Sequence, residues 1–208
     1  MLPRTAGRAV IFLTSIFTGI AAYISWLATL IFSLVGTGTT ALVARSRGGG
    51  DFEQANRFAN RSLTLAGGLG LVVYAILTIL APLYAEMQQM QGEAYRVAVG
   101  FLRTDAIGEI FFCYCLIGSA ALRGMGDMRT PMVILGVVNI LNMLLASILV
   151  FGLGPIEPWG IDGIVTATVT ARICGGLLML AVLAGGVNGL RLRVDYLVPH
   201  QADIRSIL

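Results

Sequence analysis

The chain has 208 residues, of which 57% are hydrophobic and 12% charged, with a mean hydropathy of +0.85. Ordinary soluble domains carry about 25% charged residues, so this sequence cannot clothe a water-exposed surface and lipid must supply much of its surroundings. The net charge of +3 rests on 14 basic residues, all of them Arg; so small a surplus is no sign of nucleic-acid binding, and its distribution reports topology instead.

The start, Met1 to Arg8, is basic, yet the uncharged run behind it, Ala9 to Ala44, has 36 residues. A signal-peptide core has about 7–15, so the run is read as a retained membrane segment. As one helix it would extend about 54 Å, whereas a span needs about 20 residues. The first span is therefore placed at residues 22–44, with the earlier residues either extending that helix or forming a remnant of another. Gly36 and Gly38, among Thr37, Thr39 and Thr40, permit close helix contact there.

Four more apolar stretches follow, at residues 62–84, 97–122, 131–153 and 161–184. The second carries Pro82 near its end, and Pro131 opens the fourth, suited to a first helical turn. The expectation is an all-α, polytopic membrane bundle of about five transmembrane helices over residues 1–190. A polar tail, residues 191–208, would follow it.

Loop charge orients the bundle. The stretch Arg45 to Arg61, read as a loop, holds four Arg; Arg123 and Arg129 flank the third-to-fourth connection, and Arg191 and Arg193 follow the fifth span. The alternate loops carry Glu86, Glu93 and Arg96, then Glu157 and Asp162. The Arg-rich ends therefore face the cytoplasm, together with the tail. Arg4 and Arg8 would then lie outside, a conflict that a further helix ahead of this point would remove.

Covalent chemistry is not expected. Cys113, Cys115 and Cys174 lie in apolar stretches and are read as small buried thiols, with no disulfide framework. The one His, His200, is in the tail, too far from them to build a metal site. There is no nucleophile–base pair and no phosphate-binding G-x-x-x-x-G-K-[ST] loop. An enzyme and an ATP-driven pump are both disfavoured.

Ionisable groups inside a membrane cost about 2.5–3.5 kcal/mol each on insertion scales and point to function. Glu109 and Arg172 each fall near the middle of a span. They either pair with each other, or Glu109 is a protonation site facing a cavity. Asp105, one turn before Glu109, either shares its proton or is solvated near the outer face. Asn139 and Asn142 share a face of the fourth span. Their alternatives are lining a cavity and interhelical hydrogen bonding, worth about 0.6 kcal/mol on average in membranes.

Four stretches resemble the multidrug and toxic compound extrusion (MATE) family. They are Gly36-Thr-Gly-Thr-Thr-Ala-Leu-Val-Ala44 with the following residues to Asp51, and Leu122-Arg-Gly-Met-Gly-Asp127-Met-Arg-Thr-Pro131. Then come Asn139-Ile-Leu-Asn142 with Val150-Phe-Gly-Leu-Gly154, and Trp159-Gly-Ile-Asp-Gly163 through Thr168. In family order they cover about residues 30–184. The stretch from Leu122 to Pro131 is similar to the family's loop between helices four and five, L-R-G-x-G-D-x-R-T-P.

The resemblance implies a fold of twelve helices in two six-helix bundles, of which this chain would hold helices two to six, with Ala202 to Leu208 leading towards helix seven. It also implies export of drugs or organic cations in exchange for Na⁺ or H⁺, with no cofactor besides that coupling ion. The partners would be membrane lipid, small cationic substrates, and a second transporter half or a second copy; the location would be the cell (inner) membrane. In members that couple through the first bundle, an Asp follows the second Asn of helix five by four residues. Here that position is Ala146, and the helix-one Asp would lie ahead of this sequence. Asn142 and Thr168 match the remaining polar positions, and Glu109 is a candidate substitute for the missing carboxylate. An inactive half, a membrane scaffold subunit and a lipid-linked precursor flippase of the same superfamily are the competing readings.

Overall fold

Among the described residues of the computed structural model (4–152, 157–193 and 196, with side chains from Trp26 onward), five helices carry the fold. They are α1 (Arg4–Gly48), α2 (Phe52–Met87), α3 (Glu93–Gly124), α4 (Arg129–Phe151) and α5 (Ile161–Gly185). All five contain a stretch long and apolar enough to cross a membrane, in α1 the part Trp26–Gly48. The run that began at Ala9 thus lies within one continuous helix, 45 residues long. The side chains of Arg4 and Arg8 lie outside the described residues, as does most of the tail beyond Arg193.

The Arg45–Arg61 stretch requires a correction, because only residues 49–51 of it are not helical. Asp51 caps α2 by accepting a 2.8 Å hydrogen bond from the Gln54 N–H, and Glu53 pairs with Arg57 one turn later at 3.2 Å. These contacts satisfy an orphan donor of the first turn. Charge therefore marks where α2 leaves the lipid, about three turns after the helix itself begins. At its other end α2 continues through Pro82 to Met87.

Helix α3 is the axis of the bundle and packs against each of the other four. Small residues let it do so. A Cβ on Gly176 of α5 would lie 2.6 Å from the Phe111 carbonyl oxygen of α3, so only glycine permits this approach of the two backbones. On the opposite side, Thr40 of α1 donates a 3.0 Å hydrogen bond to the Ala120 carbonyl of α3. Close backbones and interhelical hydrogen bonds hold helices together in lipid, where the hydrophobic effect between them is absent.

The outward faces of α2 and α4 are apolar and exposed, including Ile79, Leu83, Met132, Val133, Met143 and Phe151. In water such a surface would be a large sticky patch; it suits hydrocarbon or a facing helical surface. Cys113 and Cys115 are buried within α3 as expected, but Cys174 is exposed. Position 174 of α5 points away from the packed face, and a thiol is apolar enough to lie against lipid.

The three Arg-bearing ends meet at one end of the bundle. A Cβ on Gly124 would lie 2.9 Å from the Thr40 carbonyl, and one on Gly126 would run into Arg47. Gly126 also has φ +76°, which suits glycine in this tight turn.

Candidate functional site

Asp105 and Glu109 are one turn apart on α3, so their side chains share a face. Adjacent carboxylates repel, and α5 supplies the remedy. Arg172 Nη1 donates a 2.9 Å hydrogen bond to Asp105 Oδ1 and lies 3.0 Å from Glu109 Oε1. A single guanidinium nitrogen thus serves both carboxylates. Gly108 between them leaves room, since a Cβ there would press on Arg172 Cδ at 3.1 Å. The guanidinium carbon also stands 5.3 Å from the Phe112 ring centre, a cation–π distance.

Burial grades through this group. The Glu109 side chain is fully enclosed, whereas those of Asp105 and Arg172 keep 12% and 19% of their surface exposed. The group is thus enclosed at Glu109 and partly open at Asp105 and Arg172. In an apolar membrane interior such charges interact strongly, and removal of one partner is costly for the others.

The other candidates lie elsewhere. Asn139 is exposed on α4 and donates at 2.9 Å to the Leu135 carbonyl; Thr168 on α5 donates at 3.0 Å to the Ile164 carbonyl. Asn142 and Ala146 are half-buried on α4. Asn139 and Thr168 are thus bonded within their own helices rather than to the α3–α5 charges. An apolar groove of about 360 Å³ opens between α1 and α2, lined by residues such as Leu27, Ile31, Val73 and Leu80, and it offers no charged anchor.

The loop motif at residues 122–131 has a mechanical role. Asp127 Oδ1 accepts from the Arg129 and Thr130 N–H groups, both at 3.0 Å, and Oδ2 accepts from the Thr130 hydroxyl at 2.7 Å and from Asn188 Nδ2 at 2.9 Å. The Thr130 bonds above all hold the Asp127 carboxyl below its ordinary value, with the Arg129 and Asn188 bonds adding to the effect against a modest penalty for burial. It caps α4 and ties that cap to the segment leaving α5.

Two residues that the charge reading passed over are Asn56 and Asn60, both buried on α2. Asn56 Oδ1 accepts the Arg191 N–H, and Asn60 Oδ1 accepts the Arg193 N–H, each at 2.9 Å. Asn60 Nδ2 donates to the Arg191 carbonyl at 2.9 Å and to the Asn56 carbonyl at 2.8 Å. The detectable signal was their i, i+4 spacing on the face that also carries Ala59 and Leu63.

Comparison with known proteins gives this architecture a family. The chain is 27% identical over 165 residues to "Probable multidrug resistance protein NorM" of Thermotoga maritima, covering 79% of this chain and 36% of that protein. It is 27% identical over 155 residues to "FAD transporter" of Shewanella oneidensis, covering 70% of this chain and 33% of that one. The chain thus spans about a third of the length of these relatives. Among solved structures, a multidrug resistance MATE family transporter of the MOP superfamily in an inward-facing conformation matches with a TM-score of 0.77 at 23% identity, covering 90% of this chain and 41% of that one. An outward-facing conformation of such a transporter matches with the same TM-score of 0.77 and 23% identity, over 94% of this chain and 42% of that one. The family model MatE matches residues 9–148, the greater part of the helical bundle, and the chain belongs to that family.

Proposed function

We propose that the chain is the first bundle, helices two to six, of a secondary transporter that exports organic cations across the cell membrane in exchange for Na⁺ or H⁺. The observation that carries this reading is the MatE match together with a five-helix bundle spanning about a third of its relatives. Alternating access needs two bundles working against each other around a central site. This bundle supplies one wall, and a second bundle supplies the other.

The same five-helix bundle is matched by inward-facing and outward-facing transporters alike, each with a TM-score of 0.77. Within it, Asp105, Glu109 and Arg172 are the candidate coupling group, in place of the helix-five carboxylate that Ala146 replaces. The half-exposed α4 face with Asn139, Asn142 and Ala146, together with Thr168, is the candidate cavity lining.

The relative named for FAD transport supports a second reading, in which the cargo is an organic anion. Export assays separate the two. Cells producing this chain with a second bundle should exclude ethidium, and cells producing it alone should not. Retention of ethidium alongside export of FAD would move the assignment to the anionic class.

A further inference from the structure

The residues that leave α5 do not trail into solvent. Val187 and Leu190 pair through reciprocal backbone hydrogen bonds of 2.9 Å, with Asn188 at φ +51° and Gly189 at φ +89° between them. Two positive φ angles at an Asn-Gly pair make a tight hairpin turn. Leu190 is 1% exposed, set in a core cluster with Leu63, Leu122, Met125 and Leu183. The Leu192 N–H returns to the Leu183 carbonyl at 3.0 Å, and the turn residue Asn188 reaches Asp127.

We propose that Asn56 and Asn60 are positioning residues of a clasp that makes residues 187–193 part of the rigid bundle. Asn60 offers both ends of its carboxamide to the same backbone stretch, taking the Arg193 N–H and giving to the Arg191 carbonyl. A neighbouring β-strand would offer a backbone the same acceptor and donor. Asn56 adds the Arg191 N–H, so the exit segment is held by alternate peptide groups on two side chains one helical turn apart.

A backbone at a cytoplasmic membrane surface can hydrogen-bond to water and needs no such partners. Buried carboxamides, by contrast, do need partners, so the segment and α2 are mutually dependent. Through Asn60, Asp127 and Leu190 the clasp joins the start of α2, the α3–α4 turn and the end of α5. A pull on Arg193 is then shared among three helix ends instead of unwinding α5.

Amide hydrogen exchange on the full chain in lipid nanodiscs tests this. The expected result is protection of the amides of residues 190–193 against free-peptide rates, with exchange there accelerated at least about tenfold in Asn60→Ala while α3 peptides stay unchanged. Asn60→Asp, which keeps the acceptor and loses the donor, should fall between. Free-peptide exchange of the segment in the unmodified chain, or undiminished protection in Asn60→Ala, would overturn the clasp. Should Asn60→Ala lose the protection of α3 and so fail to fold, Asn56→Ala reads the same outcomes at the Arg191 amide.

Discussion

Arg172 on α5 and Glu109 on α3 meet at 3.0 Å where the Glu109 side chain is fully enclosed, and the same guanidinium nitrogen holds Asp105 at 2.9 Å. Arg172→Met should therefore leave two carboxylates facing each other, at a cost of about 3–5 kcal/mol, the range for breaking a buried ion pair. Because one nitrogen serves both acids, a single ammonium can replace part of its action. Arg172→Lys should retain more stability than Arg172→Met, read as the midpoint of thermal unfolding in detergent. Equal midpoints for the unmodified chain and Arg172→Met would show that the charges do not hold α3 to α5.

Two glycines should respond oppositely to the same change. Gly176→Ala places a methyl 2.6 Å from the Phe111 carbonyl oxygen and should separate α3 from α5, costing about 1–3 kcal/mol. Gly136→Ala, in α4, meets nothing within 4 Å. It should be neutral or stabilise by about 0.5–1 kcal/mol through helix propensity. Denaturation midpoints of the two variants check the pair.

Asp127 gives the fold a dependence on acid. Its folded carboxyl titrates below the ordinary 3.8, so its contribution is present above that value and is lost as pH falls through the lowered one. Amide exchange in the Met125–Thr130 turn should be steady between pH 7 and pH 5, after correction for intrinsic rates. Protection should decline below about pH 4. Asp127→Asn keeps one acceptor oxygen for the backbone N–H groups but cannot accept from both the Thr130 hydroxyl and Asn188, so it should weaken the turn at neutral pH by about 1 kcal/mol and flatten the acid response.

Topology can be read by chemistry. With the three native cysteines replaced by Ser, Gly50→Cys at the α1–α2 turn should react with an impermeant maleimide only from the cytoplasmic side. Gln91→Cys, at the α2–α3 turn, should react only from the opposite side. Labelling of both from one side would contradict the orientation inferred from the Arg-rich ends.

Much of the bundle was legible because a bilayer imposes length and apolarity on anything that crosses it. The boundaries were not, because hydropathy reports the edge of the lipid and hydrogen bonding sets the end of the helix. Residues 52–61 show this, being charged yet already helical under the Asp51 cap. Glu109 and Arg172 stood out as charges within apolar runs, although no spacing rule indicated that Arg172 would also take Asp105. Asn56 and Asn60 were hidden for a different reason. They lie in a charged stretch where polar side chains are ordinarily solvated, and their partner is backbone more than 130 residues away, which leaves no mark on local sequence.

Gradient-driven export by two bundles, of which this chain is proposed to be one, can be measured in reconstituted vesicles. Vesicles holding this chain together with a second bundle should move ethidium when a Na⁺ or H⁺ gradient is imposed and stop when an ionophore collapses it. Vesicles holding the chain alone should match empty ones, and Glu109→Gln should slow the two-bundle system if Glu109 belongs to the coupling group. Gradient-driven movement by the chain alone, or two-bundle movement indifferent to the gradient, would rule out this mechanism.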